Sequence, residues 1–175
     1  MSSEHSAASP IHAGWTSDDP AERRAAYAAC AVELAALLEG EDDPIARMAT
    51  AAALLFQRVP RVSFVGFYRV VSPAMLVVGP YQGPPACLRI PFARGVCGAA
   101  ARERRSQLVP DVHAFPGHIA CDAASRSELV VPVFAPDGAL LAVLDLDSHA
   151  PSAFDQLDQE QIERLMERAF GQGPA

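Results

Sequence analysis

The chain has 175 residues, half of them hydrophobic, which suits one domain with a sizeable core and excludes a disordered or fibrous protein. Lys and Arg total 14 against 21 Asp and Glu, a formal charge of −7. That balance repels phosphate backbones, which excludes nucleic acid as a natural partner, and it favours a cationic small ligand.

Residues 1–17 are predicted to be a flexible N-terminal tail, and residues 18–172 a single domain. Met1 to Ala13 is rich in Ser, Ala and His and has no apolar stretch, so it does not read as a signal peptide. No apolar run approaches the roughly 18 residues of a membrane helix. A cytoplasmic protein with no membrane association is expected, its four cysteines (Cys30, Cys87, Cys97 and Cys121) free thiols at rest.

Asp18-Asp19-Pro20 is a helix start, and an Ala-rich helix follows to Glu39, stopped by Gly40. Asp43-Pro44 repeats the signal and opens a helix ending before Pro60. The pattern then switches to strands at 61–70 and 75–78, with Ser72-Pro73 between them. A short strand is expected at 87–90, a short helix at 95–103, an extended piece at 107–110 and a long loop over 111–126. Two apolar strands, 128–134 and 140–147, flank the hairpin turn Pro136-Asp137-Gly138. An amphipathic helix closes the domain at 155–170. The order predicts an α+β fold with an antiparallel sheet.

Three cysteines sit beside structure breakers: Pro84-Pro85-Ala86-Cys87, Gly95-Val96-Cys97-Gly98 and Gly117-His118-Ile119-Ala120-Cys121. Access and backbone N–H groups favour a reactive thiolate in such places, and the helix starting at Gly95 is expected to lower the Cys97 pKa. The alternative is a small buried apolar residue, which is the reading for Cys30 inside its helix. A zinc site fits poorly, because there is no C-x-x-C and only His118 and Cys121 approach a paired-ligand spacing. No metal and no cofactor are expected.

Val143-Leu144-Asp145-Leu146-Asp147-Ser148 places two carboxylates two residues apart, hence on one face of a strand. Glu128 opens the preceding strand. The cluster reads either as a solvated strand end or as a pocket for an ammonium group, in which one carboxyl would have its pKa raised and serve as a proton donor.

These segments together resemble free methionine-(R)-sulfoxide reductase, a family of GAF domains. The resemblance is carried by Phe64-Val65-Gly66-Phe67-Tyr68, Gly79 to Ile90, Arg94 to Gly98, Val109 to Val112, Phe115 to Asp122, Ser125 to Pro132 and Leu144 to Ser148. It implies a GAF-like antiparallel sheet flanked by N-terminal and C-terminal helices, with free methionine-(R)-sulfoxide as substrate. It implies thioredoxin as reductant and a possible homodimer. Carried over by motif, Cys121 is the nucleophile, Cys87 the resolving partner and Cys97 an additional redox cysteine. Glu128, Asp145 and Asp147 match the substrate-binding carboxylates, and Phe64, Phe67 and Tyr68 the aromatic side of the pocket. Period-two alternation puts Phe64 and Tyr68 on one face and Phe67 on the other. Phe64 stands where many members carry Trp. His118 reads either as offsetting the charge of Asp122 beside Cys121 or as a loop histidine bonded to backbone. The competing readings are a small-ligand sensor without chemistry and a thiol redox switch without reductase turnover.

Overall fold

A computed structural model describes residues 15–119 and 121–171. Most of the predicted tail lies outside the described residues. Trp15, however, packs edge-on against Tyr27 with ring centroids 4.6 Å apart, so core packing reaches into that segment.

Helix α1 spans Pro20–Leu37 and α2 Pro44–Arg58; the Asp19 and Asp43 carboxylates cap them by accepting from first-turn backbone N–H groups. Strands β1 (Phe64–Ser72) and β2 (Met75–Gln82) form a hairpin, and β3 (Arg89–Pro91) extends it. Helix α3 (Gly95–Glu103) follows, then β4 (Gln107–Val109) and a single 3₁₀ turn at Val112–Ala114. Strands β5 (Ser127–Phe134) and β6 (Leu140–Ser148) form the second hairpin, and α4 (Gln156–Phe170) ends the fold. β2 runs four residues beyond its predicted end, through Gly79-Pro80, because its partners β1 and β3 supply pairing that a local reading cannot see.

All six strands make one antiparallel sheet in the order β3-β2-β1-β6-β5-β4. Val65, Phe67, Leu129, Leu144 and Leu146 face α1, α2 and α4 in one core. Phe64, Tyr68, Val130 and Val143 face α3 in a second. The central strands are buried on both sides, which is why β5 reads as a nearly continuous apolar run.

A charge cluster built on buried Asp158 pins α1 to α4. The Asp158 carboxylate accepts from Arg23 Nη2 at 2.7 Å, Tyr27 Oη at 2.8 Å and the Asp155 backbone N–H at 2.9 Å. Arg23 also binds Asp155 at 2.7 Å. Truncating Asp158 strands the Tyr27 hydroxyl in the core. Asp158→Ala is therefore expected to lower unfolding free energy by about 3 kcal/mol. A urea titration reads this as a lower midpoint at similar slope; an unmoved midpoint would show that the cluster adds nothing.

Candidate active site

The register of the central strands assembles the site. Glu128 of β5 lies opposite Asp147 of β6, and Val130 opposite Asp145. On the other side Phe64 and Gly66 of β1 lie opposite Asp147 and Asp145. All these side chains share one face. The three carboxylates thus converge on the side of the sheet away from α1, α2 and α4. Helix α3 is packed tightly there: a Cβ on Gly98 would come within 2.6 Å of the Pro91 carbonyl oxygen, so only glycine permits this approach.

A cavity of about 30 Å³ lies between this acidic floor, α3 and the 111–126 loop. Glu128, Asp145 and Asp147 line it from the sheet, Cys97 from α3, and His118 and Cys121 from the loop. Cys121 is joined to Cys87 in a disulfide across 34 residues, with a Cα–Cα distance of 5.2 Å. The structure is thus the disulfide form, in which Cys30 and Cys97 are free.

Cys97 departs from its sequence-based expectation. It is 3% exposed, and its thiol donates to Glu128 Oε1 at 3.8 Å. Burial, then Asp145, Glu128 and Asp147, push its pKa well above the ordinary thiol value. The helix dipole is overruled by desolvation and three acidic neighbours, so Cys97 is held as a neutral thiol. The buried apolar reading of Cys30 stands: burial raises its pKa to about 11.

The carboxylates show the same physics. Burial is the largest cause for all three. Asp145 and Glu128 are pushed well above the carboxylate range, with a charged neighbour next in each case. Asp147 is pushed up to about 7. Asp145 is 5% exposed, and its Oδ1 has no hydrogen-bond partner among the described residues. An unpaired buried carboxylate oxygen facing a cavity is a strong acceptor site. Cys97, Glu128 and Asp145 also bring ligand atoms within 4.8 Å of one another, a set that could hold a cation among the described residues.

The folded chain holds protons here that the unfolded chain releases near pH 4. Bound protons then number more in the native state, so stability falls as pH rises. For Asp147 the fall runs from about pH 4 to about pH 7, at up to about 1.4 kcal/mol per pH unit for each such group. The ligand-free protein is expected to melt at a lower temperature at pH 7.5 than at pH 5.5, with a shallower slope in Asp147→Asn. A flat profile would contradict the buried, protonated cluster.

The aromatics divide. Phe64 and Tyr68 lie on the site face, buried in its core, and Phe64 stacks on Tyr81 with centroids 5.4 Å apart. Phe67 points away from the cavity, into the helix-side core, and packs on Phe170 at 5.6 Å. Period two decides this, as the alternation along β1 indicates. Asp122 is bound by His149 Nε2 at 2.9 Å and held low by the Ala124 backbone N–H and by His149. His118 plays no part in that pair. Burial, with His113, lowers its pKa, so it is neutral near pH 7. Ile90 and Ser125 also line the cavity; both lie in segments that carry the family resemblance, but residue type alone did not mark them as site residues.

The antiparallel sheet with a disulfide over buried carboxylates defines a GAF domain equipped for redox chemistry, and residues 43–169 match the GAF domain family. The chain is 43% identical over 131 residues to the free methionine-R-sulfoxide reductase of Escherichia coli, covering 75% of this chain and 78% of that one. It superimposes with a TM-score of 0.80 on free methionine-R-sulfoxide reductase from Neisseria meningitidis in complex with its substrate, at 39% identity, covering 90% and 92% of the two chains. The reduced form of fRMsr of Staphylococcus aureus matches at a TM-score of 0.78 and 43% identity, covering 82% and 92%. The chain belongs to the free methionine-(R)-sulfoxide reductase family of GAF domains.

Proposed function

We propose that the protein reduces free L-methionine-(R)-sulfoxide to methionine. The observation that carries this reading is one cavity lined by Cys121, Glu128 and Asp145, with a buried carboxylate oxygen of Asp145 that has no partner among the described residues. A cavity of about 30 Å³ is too small for a methionine sulfoxide, so substrate enters after the disulfide is reduced and the 111–126 loop has moved.

In the reduced enzyme the substrate ammonium pairs with Asp145 and Asp147, and its positive charge returns one of them to the ionised form. Glu128, its pKa raised, keeps its proton and gives it to the sulfoxide oxygen. Cys121 attacks the sulfoxide sulfur; the S–O bond breaks, methionine leaves and Cys121 holds the oxygen as a sulfenic acid. The Cys87 thiol displaces that oxygen as water and forms the disulfide. A thioredoxin-type dithiol supplies two electrons to reopen it. Cys97 stays a neutral donor to Glu128 and holds it in place. Phe64 and Tyr68 form the apolar wall behind the site, and Phe67 only supports the sheet. A peptide-bound residue carries no α-ammonium, so the acidic floor selects the free amino acid.

No helix among the described residues is long and apolar enough to cross a membrane. The thiol cycle suits the cytoplasm, where dithiol reductants are present. A homodimer rests on the family resemblance. Incubation with racemic free methionine sulfoxide and dithiothreitol, followed by chiral analysis, tests the reading. The R epimer alone should disappear. Consumption of neither epimer, with a disulfide formed only by peroxide, would replace it with a redox switch.

A further inference from the structure

The disulfide is asymmetric in its surroundings. Cys121 lines the small cavity, and Cys87 is not among the lining residues. Cys87 instead ends the exposed Gly83-Pro84-Pro85 segment and is half-buried. Its neighbour Leu88 is 73% exposed, matched among the described large apolar side chains only by Val32 on α1, and exposed Tyr81 precedes the same segment. The Leu88 carbonyl accepts from the Val78 N–H at 3.1 Å, so its backbone is fixed while its side chain projects freely. An apolar side chain held in water beside a redox bond has no internal packing role.

Resting on the reductase reading, we propose that Tyr81, Pro84, Pro85 and Leu88 form the docking surface for a protein dithiol, which attacks Cys87 and not Cys121. Cys87 and Cys121 are both half-buried, but Cys121 faces the acidic cavity while Cys87 adjoins the exposed apolar segment, so a partner seated on that segment brings its thiol to Cys87. In-line attack on Cys87 comes from the side opposite Cys121. The partner thiolate bonds to Cys87 Sγ, the Cys87–Cys121 bond breaks, and Cys121 leaves as a thiolate into the cavity where it is next needed. The partner's second thiol then breaks the mixed disulfide. Cys87 leaves as a thiol, the partner is oxidised to its own disulfide, and two electrons have passed to the enzyme.

Leu88→Asp separates this surface from the chemistry. With dithiothreitol, which needs no docking surface, its turnover should match the unsubstituted protein within about twofold. With thioredoxin as reductant, kcat/KM for thioredoxin should fall about tenfold or more. Equal loss with both reductants, or no loss with thioredoxin, overturns the surface. A thioredoxin lacking its second cysteine should trap a mixed disulfide on oxidised enzyme, mapped by peptide mass to Cys87; a Cys121 adduct overturns the direction of attack. Absence of dithiothreitol-supported turnover in the unsubstituted protein is a separate result, which removes the reductase reading itself.

Discussion

Cys121→Ser should lower turnover of free methionine-(R)-sulfoxide at least about a thousandfold, with substrate still bound. A serine hydroxyl in this position has no base positioned to activate it, and it cannot hold the oxygen as a sulfenic acid. The variant also frees Cys87, because the disulfide can no longer form. Isothermal calorimetry should therefore show binding in the absence of chemistry. Cys97→Ser should behave differently. It replaces one buried neutral donor to Glu128 by another and should retain most of the activity. If Cys97→Ser were as inactive as Cys121→Ser, the nucleophile would move to Cys97, and the acidic environment that keeps that thiol protonated would have been misjudged.

Asp145→Asn should raise KM for the free amino acid roughly 30-fold or more, the size of a lost buried charge pair of about 2 kcal/mol or above. Asn keeps the shape of the floor and removes the charge that meets the ammonium. The same substitution removes a strained feature of the empty protein, a fully buried carboxyl whose Oδ1 lacks a partner among the described residues. The empty variant should therefore be no less stable than the unsubstituted protein at pH 7.5. A substitution that weakens ligand binding while sparing the fold is the expected mark of a functional residue. Unchanged KM would take Asp145 out of the binding site.

Much of this was legible from local pattern. The two hairpins follow from apolar, β-branched runs flanking Ser72-Pro73 and Pro136-Asp137-Gly138, and the placing of Asp145 and Asp147 on one face follows from period two alone. The helix starts at Asp19 and Asp43 were readable because a cap acts within one turn. What local pattern could not supply was register. That Glu128 lies opposite Asp147, completing the acidic floor, depends on how β5 meets β6. The pairing of Cys87 with Cys121 came from family resemblance, since three candidate thiols allow several pairings. Cys97 shows the opposite failure. Its place near a helix start suggested a lowered pKa, but burial and three carboxylates from distant strands dominate. Tertiary desolvation outweighs a dipole of a single short helix.

The most direct measurement is a single turnover without external reductant. Fully reduced enzyme is mixed with excess free methionine-(R)-sulfoxide, and methionine and cysteine states are counted together by mass spectrometry. The account predicts one methionine per chain, with Cys87 and Cys121 joined and Cys97 left as a thiol. Methionine released with Cys97 in the disulfide, or with no disulfide at all, would contradict it.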